Sequence, residues 1–510
     1  MNSSYRKKIF LLIIISFFVR VIVASFTELG NDEVYYWTYS QYLQWNYFDH
    51  PPMVAIWIRL FTGNLKLQQY ELFVRLGSLV SCAFATLIMF DIGKKLHSEK
   101  AGFFIACLYN TSLYASIIAG VFIMPDSPQM LFWSLSLLML LKISKNEKSW
   151  HNWLLFGVCA GLCLMSKVHG IFIWIGLGSF VLIKKRAWLK LPQLYIAMLL
   201  SFAIASPILF WNIANNFITY KYHSDRVTIN QFTIHIDGFL REFFGQILYN
   251  NPVNVILIVI ALFAWFKHKI FKNDALSIYA FIAIPMAIIL LALSLFRDTL
   301  PHWSGPAYVT LLPIAGCYLA TRKKEITFPK FIKTAFGVII FGVVAGILFI
   351  NFFPGTIGEK SLENLGDGDF TLDMSGWKNA GTAFQNIYQK DVQDGRMPAN
   401  ADMICYKWFP ASHEDYYFCR AIKMQMMGIG IPFDLHEYLW YNSYRKTEGS
   451  LDKVYCVVPS NENYNVRETY SKFYSNIDSV STIQSFRGNK LARSFYVYRL
   501  NGWKGILPVN

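Results

Sequence analysis

The chain has 510 residues, of which 54% are hydrophobic and only 15% charged, and a formal net charge of +15. Soluble domains carry about 25% charged residues, so the composition excludes an ordinary soluble enzyme or a disordered chain and points to a polytopic membrane protein. From Pro354 onward there are 17 Lys+Arg and 17 Asp+Glu, so the whole positive excess lies before that point, in short clusters at 6–8, 94–95, 142–148, 184–190, 267–272 and 322–333.

In chain order, "IFLLIIISFFVRVIVASF" (9–26) is long, contains Arg20 and lacks a small-residue cleavage pattern, so it reads as a retained first span rather than a signal peptide. Ten more apolar segments follow at about 71–93, 101–121, 127–143, 152–166, 169–184, 193–213, 251–267, 275–296, 303–321 and 333–353. With the N-terminus inside, each basic cluster falls on a cytoplasmic loop. The positive charge is therefore topological and implies no nucleic-acid partner. Two parts result: a transmembrane part over 1–353, with a first outer loop at 27–70, and a tail over 354–510 on the non-cytoplasmic face. In the tail, "VYCVVPS" and "SFYVYRL" alternate like strands and "GWKNAGTAFQNIYQK" reads as a helix, which predicts a small mixed α/β domain. Cys405, Cys419 and Cys456 form an odd set there, with room for one disulfide and no readable pairing.

The polar residues with chemical potential gather on the outer segments. Asp32 and Glu33 follow the first span in "NDEVYYW". A carboxylate there can act as general base toward a hydroxyl; a helix cap is the simpler role. The tyrosines at 35, 36, 39 and 42 suit an interfacial belt, or stacking on sugar rings. In "YFDHPPM", Asp49 and His50 precede two prolines that start the next helix, which suits positioning an acceptor or a cation, and makes a weak metal pair. "MPDSP" puts Asp126 at the head of a span, again as a cap or as a third acid facing the same cavity. Lys167 and His169 in "SKVHG" break an apolar hairpin, where a lysine marks function or snorkels to the interface. Arg297 and His302 in "RDTLPHWSGPAY" add cationic groups. Cations facing carboxylates at lipid-headgroup depth suit holding a phosphate while hydroxyl chemistry proceeds beside it.

The order "NDEVYYW", "YFDHPPM", "MPDSPQMLFW", "LMSKVHG", "HWSGPAY" and an outer tail resembles the GT-C glycosyltransferases, in particular the bacterial protein-mannosyltransferase-like and aminoarabinose-transferase-like members of glycosyltransferase families 39 and 83. The resemblance implies a polytopic α-helical GT-C fold of about eleven spans. It implies transfer of a sugar from a polyprenyl-phosphate carrier to a hydroxyl of an extracytoplasmic acceptor, usually with inversion. By the same resemblance Asp32 matches the catalytic aspartate and Asp126 the acid common at the start of the fourth span; Asp126, and Glu33 as the neighbour of Asp32 in the same short segment, are the further catalytic candidates. Asp49 matches an acid that helps hold a metal in the aminoarabinose transferases, and His50 stands where those enzymes often show lysine. Lys167 matches a basic residue of the lipid-phosphate region, with His169, Arg297 and His302 beside it.

The expected partners are a polyprenyl-phosphate-linked sugar, membrane lipids, and an acceptor that is lipid A, lipopolysaccharide, another glycan or a protein. No cofactor is expected with certainty beyond a candidate divalent metal. The expected location is a bacterial inner membrane, multi-pass, with the site on the periplasmic face. A flippase for a lipid-linked glycan is the non-enzymatic alternative, although the midplane polar residues and repeats that a transporter needs are not seen. A polysaccharide polymerase or ligase is the other.

Overall fold

The structure is a computed structural model that describes residues 3–229, 233–268, 274–322, 329–445 and 451–509. Parts of the basic clusters at 267–272 and 322–333 lie outside the described residues. The chain divides into two compact units: Met1–Ala24 with Leu43–Val343, and Ser25–Tyr42 with Val344–Asn510.

The first unit is helical. Its long helices are α1 (Ser3–Ser25), α4 (Glu71–Leu96), α5 (Glu99–Thr111), α6 (Asp126–Lys145), α7 (Trp150–Ser166), α8 (Ile171–Lys184), α9 (Pro192–Ala214), α12 (Pro252–His268), α13 (Asp274–Leu293), α14 (Gly305–Arg322) and α15 (Lys330–Phe352), the last running on into the second unit. Each falls on one of the eleven apolar segments, but α5 covers only the first half of 101–121 and the π-turn Tyr114–Ile118 follows it. Five are by themselves long and apolar enough to cross a membrane, and Ile236–Tyr249 with Pro252–Lys267 forms a bent pair that passes the same test. Shorter helices α3 (Met53–Phe61), α10 (Ile218–Val227) and α11 (Ile236–Tyr249) stand between them.

Lipid is as apolar as leucine, so close backbone approach holds such helices together. At the α4/α5 contact, a Cβ on Gly102 would lie 2.3 Å from the Phe90 carbonyl oxygen. Gly102→Ala is therefore expected to lose about 1–3 kcal/mol through overpacking. A lower thermal midpoint of the full-length protein in detergent checks this. The arginine inside the first span is satisfied by neighbours: Arg20 Nε donates to the Ser116 carbonyl at 2.9 Å and Nη2 to Asn110 Oδ1 at 2.7 Å.

The second unit is mixed. Its five-stranded sheet comprises β1 (Asp402–Cys405), β2 (Met426–Gly428), β3 (Lys453–Pro459), β4 (Tyr474–Arg487) and β5 (Lys490–Trp503) in the order β2-β1-β3-β5-β4. The pairs β1/β2 and β1/β3 are parallel, and β3/β5 and β4/β5 antiparallel. The predicted strands are β3 and β5, and the predicted helix is α16 (Trp377–Gln393). The three tail cysteines are buried free thiols.

Helix α2 (Asn31–Gln41) belongs to this unit, and it packs on α17 (Trp408–Glu414). Tyr35, Tyr36, Trp37 and Tyr39 are at most 3% exposed, which corrects the expectation of an interfacial belt. The Tyr35 ring centroid lies 4.8 Å from that of Trp408, and the Trp37 centroid 5.0 Å from that of Tyr416. Burial of such large rings stabilises more than interfacial exposure does. Glu28, just before α2, accepts the Trp377 N–H at 2.8 Å, a carboxylate on the positive end of α16.

Candidate functional site

In the first unit the centre is a buried ion pair. The Lys167 ammonium donates to Asp126 Oδ2 at 2.7 Å, with side-chain exposures of 4% and 1%. Removing two charges from water costs several kcal/mol per ion, which close geometry and further hydrogen bonds must offset. The second bond is present: the Tyr114 hydroxyl donates to Asp126 Oδ1 at 2.7 Å. Tyr114 opens a π-helical turn, Tyr114–Ile118, a local form common at functional sites. Its ring lies against Gly305, where a Cβ would come within 2.2 Å of it. Neither Asp126 nor Asp49 caps a helix with its side chain: the cap positions of α6 and α3 are Pro125 and Pro52. Tyr114→Phe is expected to cost about 1.5–3 kcal/mol, the worth of a bond to a charged group. A lower thermal midpoint in detergent, with Tyr114→Ala worse than Phe, checks it.

Four histidines surround this pair. His50, His169 and His302 each feel the charges of Lys167 and Asp126, and His223 feels that of Lys167. The His50 and His223 rings lie 6.0 Å apart, and His223 Nε2 is 2.7 Å from the Asp49 carbonyl oxygen. The His169 ring stands 5.6 Å from Trp303, whose ring also meets the Arg226 guanidinium at 5.4 Å. Burial first, then the Lys167 charge, lowers His302 to about 4. The His302 imidazole is therefore neutral at pH 7.

An apolar cavity of about 350 Å³ opens beside this group. Asp49, His50 and His223 line it together with Leu164, Val168 and residues of α9, including Phe202 and Leu209. Polar groups thus stand at one side of the cavity and apolar side chains form its walls beyond. Arg297 lines a different cavity of about 360 Å³ with Arg226 and His235, and its Nε donates to the Arg226 carbonyl at 3.0 Å. The structure thus gathers Asp126, Lys167, His50, His169 and His302, and puts Arg297 at a second cavity.

Asp32 and Glu33 belong to the second unit, on the first turn of α2. Asp32 is exposed, whereas Glu33 is 2% exposed and accepts the Gly30 N–H at 2.9 Å. Gly30 is the cap residue of α2, so Asp32 does not fill that position.

Among the described residues no group of three or more His, Cys, Asp or Glu is arranged to hold a metal ion. Among the described residues, Asp49 and His50, the candidate metal pair, are therefore not joined by a third residue of these types in a metal-binding arrangement.

Tyr114, His223 and Arg226 were not singled out from sequence. His223 and Arg226 carried a signal in "YHSDR", a polar run on a predicted outer segment. Tyr114 sits in an apolar run and carried none.

The profile of a family described as dolichyl-phosphate-mannose-protein mannosyltransferase matches residues 49–211. Lipid A galacturonosyltransferase RgtD of Rhizobium johnstonii is 24% identical over 343 residues, 66% of this chain and 70% of that protein. The crystal structure of ArnT from Cupriavidus metallidurans in the apo state superposes with a TM-score of 0.64 at 12% identity, over 97% of this chain and 98% of that one. Its complex with undecaprenyl phosphate gives 0.60 at 13% identity, over 98% of both chains.

Proposed function

We propose that this chain, a glycosyltransferase of GT-C fold, moves a sugar from a polyprenyl-phosphate donor to a hydroxyl of an extracytoplasmic acceptor. One observation carries the reading: the buried Asp126–Lys167 pair stands among four histidines beside an apolar cavity. A phosphate needs cations and N–H donors, and its polyprenyl chain needs hydrocarbon walls.

The chemistry follows. Asp32 takes the proton of the acceptor hydroxyl. The hydroxyl oxygen attacks the anomeric carbon, the bond from that carbon to the phosphate oxygen breaks, and polyprenyl phosphate leaves with the bonding pair. Attack from the opposite side inverts the anomeric centre. Lys167 meets the charge that develops on the phosphate, with His50, His169 and His302 around it. Asp126 holds Lys167 in place, and Asp49 positions the acceptor. Glu33 fixes the first turn that carries Asp32.

In this reading the transmembrane part, 1–353, takes the donor from a bacterial inner membrane, and the outer loop 27–70 and the tail 354–510 face the periplasm. Undecaprenyl phosphate is the ligand of the ArnT complex, and lipid A and a galacturonosyl group are in the name of RgtD. Lipid A and an undecaprenyl-phosphate-linked acidic sugar are therefore the first pair to assay. The purified protein in nanodiscs is expected to release undecaprenyl phosphate from such a donor only when acceptor is present. No turnover with any of a panel of undecaprenyl-phosphate sugars and envelope glycolipids would contradict the reading.

A further inference from the structure

The geometry points to His413, in the tail part of the second unit, as a positioning residue for the reaction: its ring N–H holds Asn31 and so sets the first turn of α2, which carries Asp32. The inference rests on the reading of Asp32 as the base.

All the parts lie in the second unit. His413 sits on α17, and Tyr417 follows four residues later in the π-helical turn Asp415–Cys419. Side chains four apart along a helix are neighbours, and these two rings are nearly parallel, at 14° with centroids 6.0 Å apart. They take the chain on either side of Gly30, the cap residue of α2. The Leu29 N–H donates to Tyr417 Oη at 2.8 Å, and His413 Nε2 lies 2.8 Å from Asn31 Oδ1. An amide oxygen only accepts, so the ring proton is on Nε2 and His413 is the donor. His413 Nδ1 is buried with no hydrogen-bond partner among the described residues. Burial first, then the Arg493 charge, holds this imidazole well below its ordinary range. The ring is therefore neutral, and the N–H given to Asn31 is its single donor.

That donor is fixed in place. His413 is fully buried and lies flat on Trp377, with centroids 4.1 Å apart at 6°. Trp377 is fully buried in turn, and the Arg493 guanidinium lies 4.2 Å from its centroid. Trp377 also opens α16, where its backbone N–H goes to Glu28. The approach to Asp32 is thus tied at residues 28, 29 and 31 to α16, the π-helical turn and α17. Gly30 fits between these ties because it has no side chain: a Cβ there would lie 2.9 Å from Met374 Cε. Asp32 itself is exposed, so its backbone is held while its carboxylate stays open to an acceptor. A general base must stand within hydrogen-bond reach of the proton that it takes. The tie that comes nearest to it in the chain is the one from His413 to Asn31.

The test separates the bond from the stack. His413→Phe keeps a flat ring against Trp377 and removes the N–H. His413→Gln offers an amide N–H and removes the ring. Three readouts are taken on the full-length protein in nanodiscs: steady-state transfer from undecaprenyl-phosphate galacturonic acid to lipid A, thermal unfolding, and amide hydrogen exchange over residues 29–36. His413→Phe is expected to lower kcat about tenfold with KM unchanged, as slight misplacement of a catalytic group does. Its thermal midpoint should stay near wild type, and exchange over 29–36 should become faster. His413→Gln is expected to keep most of kcat at a lower thermal midpoint. In an Asn31→Ala background, His413→Phe should cause no further loss of kcat, because the bond is already gone. Unchanged kcat in His413→Phe, or its full loss repeated on top of Asn31→Ala, would overturn the inference. Unchanged exchange over 29–36 in His413→Phe would overturn it too, whichever donor sugar the protein accepts. A fully active Asp32→Asn protein would instead sink the base reading. An inactive Asp32→Asn beside a fully active His413→Phe would leave that reading standing and remove only the positioning role.

Discussion

Asp32→Asn is expected to leave a folded protein that transfers sugar about 10²–10⁴-fold more slowly, the usual cost of losing a general base. The substitution keeps size and hydrogen bonding and removes the basic oxygen. The structure makes it a clean test of the carboxylate. Asp32 is exposed on the first turn of α2, and the cap position belongs to Gly30, whose N–H is already taken by Glu33. A capping role would leave Asn nearly neutral in any case. Glu33→Gln gives the complementary result. It weakens a buried bond within α2, so a drop in thermal midpoint should accompany any loss of rate. Steady-state transfer and thermal unfolding, measured on both variants in nanodiscs, separate the two acids.

Lys167→Ala is expected to fail in two ways at once. Removing one partner of a buried pair leaves Asp126 as an uncompensated charge, at about 3–5 kcal/mol. The donor phosphate also loses a charge-assisted partner worth about 1.5–3 kcal/mol. The double variant Lys167→Met with Asp126→Asn tells these apart. Without a buried charge, its thermal midpoint should return close to wild type. Its affinity for undecaprenyl phosphate should stay low, because no cation has been restored. Recovery of both stability and affinity in the double variant would reduce the pair to a structural tie.

The helices were legible because a bilayer demands about 20 apolar residues per crossing. Ten of the eleven apolar segments coincide with single helices, 101–121 is divided between α5 and the π-turn Tyr114–Ile118, and the two short ones at 150–184 meet at the 3₁₀ turn Val168–Gly170, where Lys167 turns inward. That inward turn could not be read from sequence. An apolar hairpin containing a lysine is equally consistent with snorkelling, and only the arrival of Asp126 from another helix decides it. The tyrosines of α2 misled for a related reason. Aromatics beside a span suit an interface by composition, but burial depends on partners more than 300 residues away, such as Trp408 and Tyr416. Tyr114 was invisible because its role comes from a π-turn and from the missing side chain at Gly305. Arg297 shared a short segment with His302, yet it lines the cavity with Arg226 rather than joining the histidine group.

The most direct measurement is mass spectrometry of envelope glycolipids from cells that lack the protein, carry it, or carry Asp32→Asn at equal abundance. The account predicts one added sugar mass on an acceptor glycolipid with the wild-type chain. That mass should be absent in the other two strains, where the unspent polyprenyl-phosphate sugar accumulates. Identical glycolipid masses in all three, or a wild-type product restored by Asp32→Asn, would contradict it.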